Sequence, residues 1–172
     1  MKLINKYIHF IDKVNKKIGE YTSWLSSLLV LVVIYDVITR YVFNESSVAM
    51  QEFEWHIFAI LFLMSSAYTL LKEEHVRVDL IYSKLDKKKQ AWIDLTGTVL
   101  FLIPFVLVVF YTSLNYVESS FLLNESSPDP GGLPMRFILK AFIPVSFFLL
   151  LLQGLSLFLK SLKTVVGKEE IE

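Results

Sequence analysis

Between residues 72 and 89 the chain reads KEEHVRVDLIYSKLDKKK, a stretch holding six of its 17 basic and four of its 17 acidic residues. On either side lie apolar runs too long for packed core helices, so this stretch is a polar loop joining two helical hairpins. The runs cover residues 21–43, 52–71, 90–120 and 134–159, and about 20 residues of helix cross a hydrocarbon core of about 30 Å. Apolar residues make up 54% of the 172, and mean hydropathy is +0.52. Polar side chains are too few to cover a water-soluble globule of this length. The sequence therefore predicts an all-α integral membrane protein with four transmembrane helices in a single membrane domain.

Orientation follows from where the basic residues lie. Segments 1–20 and 72–89 and the tail after residue 159 contain five, six and three Lys or Arg, against none in the connections 44–51 and 121–133. Basic loops stay on the cytoplasmic side, so both termini are expected there. Trp24, Trp55 and Trp92 fall near predicted helix ends, as interfacial rings do.

Residues 1–20 are patterned differently from the spans. Leu3, Ile4, Tyr7, Ile8, Ile11, Val14 and Ile18 recur at helical spacing, with Lys2, Lys6, Lys13, Lys16 and Lys17 mostly between them. That pattern predicts an amphipathic arm lying on the inner membrane surface against phospholipid. In the first span Asp36 and Arg40 stand four apart on one face near the outer end, where an ion pair can be satisfied within the helix or against a neighbour. Glu52, Glu54 and His56 are expected in the first turn of the second span, where carboxylates favour the helix N-terminus. Arg40 to Glu52 is the plain interhelical contact. The third span is long: Pro104 should kink it, and Gly97 should admit a close neighbour. The connection LLNESSPDPGGL is a rigid corner of turn residues. Beyond it Arg136 and Lys140 share a helix face and are expected to meet Glu118 or Glu54, while Pro144 suggests a second bend. In the central loop His75 and Asp79, four apart, can form a pair that orders it.

Several chemistries are excluded. The 172 residues include no cysteine, which removes disulfides, thiolate metal sites and Cys nucleophiles. A bilayer haem needs paired histidines, and of His9, His56 and His75 only His56 is near a span. No Ser, His and carboxylate constellation or metal-ligand spacing appears, so the chain reads as a non-enzyme without a cofactor of its own. Zero net charge gives no footprint for nucleic acid. A stand-alone four-helix transporter and a membrane-anchoring protein remain as alternatives, although a proton-coupled exchanger requires a carboxylate near mid-membrane and the acids here lie towards the span ends.

RYVFN at 40–44, Glu52 opening the second span and HVRVD at 75–79, in that order and spacing, resemble the small membrane subunit of tripartite ATP-independent periplasmic (TRAP) transporters. The likeness covers residues 21 to 160 and departs from the usual pattern at Met50 and Gln51, where an aromatic residue is common. ESSPDPGGLP followed by RFILK looks like a branch associated with 2-oxo acid and related organic-acid carriers. The resemblance implies an inner-membrane protein that braces the fixed scaffold of a large elevator-type subunit. That larger partner would hold the sodium and substrate sites, and a periplasmic binding protein would deliver an organic acid.

Overall fold

The computed structural model describes residues 2–72, 82 and 84–167; His75 and Asp79 lie outside them. All the secondary structure described is helical. Helix α1 is Lys2–Val42, α2 is Val48–Leu71 and α3 is Lys87–Gly97. A single π-helical turn, Thr98–Leu102, joins α3 to α4, Ile103–Leu122, and α5 is Phe137–Val166. Among the described residues four helices, counting Lys87–Leu122 as one, are long and apolar enough to cross a membrane.

The boundary expected at residue 20, between a surface arm and the first span, is absent. α1 runs unbroken for 41 residues, about 60 Å at 1.5 Å per residue. Nothing around Ile18 to Trp24 can stop a helix: there is no proline, and Gly19 keeps helical geometry. Its missing side chain serves packing, because a Cβ there would sit 2.3 Å from Tyr68 Cγ on α2. At its far end α1 stops where Asn44 takes a left-handed φ of 54°, a conformation asparagine tolerates at helix ends. Ser47 then caps α2 by accepting the Met50 N–H, so α2 begins four residues before the predicted 52 and Glu52 falls in its second turn.

Pro104 acts through the turn before it. The Ile103 N–H reaches back five residues to the Thr98 carbonyl, and this wider turn accommodates a proline that cannot donate to the helical ladder. Gly97 faces open space, with nothing within 4 Å of a Cβ built on it; the close approach belongs to Gly154 of α5, which lies 3.0 Å from Leu102 by the same construction. α5 continues through Pro144 as one helix and ends at Gly167, φ 70°.

α5 is the hub of the bundle, packing against α1, α2, α3 and α4, while α1 also lies along α2. Leu70, Val106 and Leu150 form the apolar core, flanked by Leu102, Phe147, Leu151 and Leu157. Most buried positions are instead small or polar: Thr22, Thr98, Ser113, Ser146, Gln153 and Ser156 lie between helices while Leu31, Phe62, Phe101 and Val108 point outward. That inversion fits lipid. Hydrocarbon solvates leucine as well as a core does, so close packing of small residues and interhelical hydrogen bonds hold such a bundle together.

The two glycine roles separate in a thermal unfolding experiment on the detergent-solubilised chain. Gly19→Leu overpacks the α1–α2 contact and should cost about 1–3 kcal/mol, part of it recovered by adding Tyr68→Ala. Gly97→Ala should leave the midpoint unchanged or raise it; equal losses at both positions would contradict this packing.

Candidate functional site

Among the described residues, two polar clusters at opposite ends of the bundle hold most of the long-range side-chain bonds. At the end carrying the connections 43–47 and 123–136, Glu52 is 4% exposed. Its carboxylate accepts from Ser127 Oγ at 2.5 Å, the Leu133 amide at 2.6 Å and Arg136 Nη2 at 2.7 Å. One α2 side chain thus holds both sides of the 127–133 corner and the residue that precedes α5. The Arg136 guanidinium also stands 5.6 Å from the Trp55 ring centroid, a cation–π distance.

The corner is shaped for this capture. Ser127 N–H donates to the Leu133 carbonyl, Gly132 N–H to that of Asp129 and Arg136 N–H to that of Glu125. Gly131 takes a φ of 81°, which favours glycine. A Cβ on Gly132 would lie 2.4 Å from Ser127 Oγ and 2.8 Å from Glu52 Oε2, so only glycine lets the loop close over the carboxylate. Beside it Lys140 bonds Glu125 and stands 4.0 Å from the Tyr116 ring centroid.

Of the two pairings open to Asp36 and Arg40, the one within α1 forms. Arg40 to Glu52 does not form, because Asp36 takes Arg40 one turn away and the corner and Arg136 occupy Glu52. Arg136 and Lys140 meet Glu52 and Glu125, not Glu118 or Glu54. Glu118 is exposed. Glu54 interacts electrostatically with Asp36 and Arg40, and its Oε1 has no hydrogen-bond partner among the described residues. His56 Nδ1 lies 2.5 Å from the Glu52 carbonyl oxygen one turn earlier.

At the opposite end, Asp12 of α1 is the centre. Its carboxylate accepts from Gln153 Nε2 at 3.0 Å, Ser156 Oγ at 3.0 Å and Lys160 Nζ at 2.6 Å. Asn15 Nδ2 donates to Gln153 Oε1 at 2.7 Å, the Tyr7 hydroxyl to the Leu152 carbonyl at 3.2 Å, and Lys163 to Asn5. Sequence reasoning passed over this cluster. Its signal was present in Asp12 and Asn15 on the side of the helix that carries Ile8 and Ile11, and in Gln153 inside an apolar run.

Neither cluster is arranged for catalysis. Each carboxylate is held by donors that join helices, and among the described residues no three His, Cys, Asp or Glu converge as metal ligands. The shallow groove lined by Phe58, Leu61, Phe62, Ser65, Ser66 and Thr69 runs along α2 alone. The fold and these fastenings define a multi-pass α-helical membrane protein whose polar groups tie helix to helix.

The particular family follows from comparison with known proteins: residues 29–164 match the one described as tripartite ATP-independent periplasmic transporters, DctQ component, and the chain belongs to it. It is a transporter component of the inner membrane, and the family works with a large membrane subunit and a periplasmic binding protein. Neither a curated protein nor a solved structure matches the chain.

The Glu125–Lys140 pair gives this end a pH dependence. The hydrogen bond from Lys140 holds the Glu125 carboxyl below its ordinary range. A carboxyl lowered by folding stabilises the folded chain at pH values above the unfolded value of about 4.3, and that contribution is lost as pH falls through the folded value. Unfolding midpoints measured from pH 7 to pH 3 should fall more steeply for the natural chain than for Glu125→Gln; parallel curves would show that the pair contributes nothing.

Proposed function

We propose that this chain is the bracing subunit of a sodium-driven, binding-protein-dependent uptake system for organic acids, with both termini in the cytoplasm. It holds the stationary part of the large subunit in place, and that partner carries the sodium and substrate sites. The carrying observation is where the polar groups are spent. Glu52 and Asp12 hold α5 at its two ends, and between these fastenings the outward faces are apolar, with Leu31, Phe101, Phe105 and Val108 each more than half exposed. Such a body can seat against another membrane protein and against phospholipid. The organic-acid assignment rests on the likeness of ESSPDPGGLP and RFILK to carriers of that class.

Uptake by proteoliposomes tests this reading. The chain reconstituted with its large subunit and binding protein should accumulate a labelled organic acid only under an inward sodium gradient, and the chain alone should accumulate none. Uptake by the chain alone would favour a stand-alone transporter, and full uptake by the large subunit without it would favour a membrane anchor. In the natural cysteine-free background, Ser126→Cys should react with an impermeant thiol reagent from the periplasmic side and Lys88→Cys should not. The opposite labelling would invert the topology.

A further inference from the structure

Residues 2–28 precede the part of the chain that matches the family, and the structure gives their helix two distinct sides. One is occupied by the protein itself: Ile11 is 5% and Asn15 2% exposed, Gly19 sits against Tyr68, and Tyr7, Asp12 and Asn15 bond α5. The other side carries two parallel rows. Leu3, Phe10 and Tyr21 are 82%, 62% and 74% exposed and recur at steps of seven and eleven, nearly whole numbers of helical turns. Beside them Lys6, Lys13 and Lys17, all exposed, follow at steps of seven and four, and the row ends in Trp24, 74% exposed.

None of these three lysines has an ion-pair partner among the described residues. The nearby acids are engaged elsewhere, Glu20 with Lys16 at 3.9 Å and Asp12 with Lys160 at 2.6 Å. The stripe then continues without a break into the lipid-facing side of the span through Leu28, Leu31 and Tyr35, all exposed. An apolar row on a helix, continuous with a membrane-spanning face and edged by uncompensated lysines, matches the boundary between acyl chains and headgroups.

We propose that this double row is a binding site for anionic phospholipid, with Leu3, Phe10 and Tyr21 among the acyl chains and Lys6, Lys13 and Lys17 on the phosphates. The inference rests on the reading that this end of the bundle lies at the cytoplasmic leaflet. Because the other side of the helix is pinned to α5, the lysines are presented in a fixed row. Bound lipid would therefore secure the same helix that the Asp12 cluster holds from the protein side.

The test is thermal unfolding of the complete chain in neutral detergent, titrated with phosphatidylglycerol or phosphatidylcholine. Phosphatidylglycerol should raise the midpoint and phosphatidylcholine should not. In Lys6→Gln/Lys13→Gln/Lys17→Gln the lipid-free midpoint should stay the same while the half-maximal phosphatidylglycerol concentration rises on the order of 100-fold. Equal responses to the two lipids, or an unchanged titration in the triple variant, would overturn the site. So would loss of the response when the large subunit is added, because a protein partner would then cover the row. A disulfide formed between Asn5→Cys and Lys163→Cys reports seating of the helix on α5. Its formation without a lipid response would sink the lipid site alone, whereas periplasmic labelling of Lys88→Cys would sink the orientation alone.

Discussion

A carboxylate buried between helices has to be given donors, since leaving it unpaired costs far more than the pairing gains. Glu52 imposes that requirement on this fold. Its three donors come from Ser127, Leu133 and Arg136, on both sides of a corner of two prolines and two glycines, so meeting its needs also fixes where the corner sits and where α5 begins. Separations of 75, 81 and 84 residues along the chain are closed by one side chain. Gly132 is there because the loop approaches the carboxylate more closely than any Cβ allows, and Gly131 because the turn needs a left-handed φ.

The opposite end repeats the logic with different parts. Asp12 takes donors from Gln153, Ser156 and Lys160, and because all three lie on α5 the same helix is held at both ends against two different neighbours. Between the clusters small residues let the helices approach, and lipid takes the large apolar ones. Among the described residues both carboxylates are taken up by donors from other helices or from the corner, so the polar groups of both clusters serve to join helices.

The sequence made the span count legible because apolar runs, basic loops and turn residues each carry local information. The ion pair of Asp36 and Arg40 was legible for the same reason, being set by one helical turn. Longer-range choices were not. The sequence pairs Arg40 with Glu52 and Arg136 with Glu118 or Glu54, and only the folded corner shows that Arg136 arrives beside Glu52 while Arg40 is held by Asp36. Gly97 and Gly19 are alike as letters, yet one faces open space and the other meets Tyr68, a difference set by helix rotation. The arm seemed separable from the first span because its composition changes near residue 20, but composition does not end a helix where no breaker stands. Its polar residues Asp12 and Asn15 carry no local sign of burial, and their partner Gln153 lies far along the chain.

Amide hydrogen exchange across residues 123–136 tests the central claim most directly, because it reports on the Leu133 N–H that Glu52 holds. In the natural chain this segment should exchange slowly for a surface connection, and Glu52→Gln should expose it while leaving the protection of residues 153–160 at the other end of α5 unchanged. Fast exchange in the natural chain, or a protection pattern that Glu52→Gln does not alter, would contradict the account.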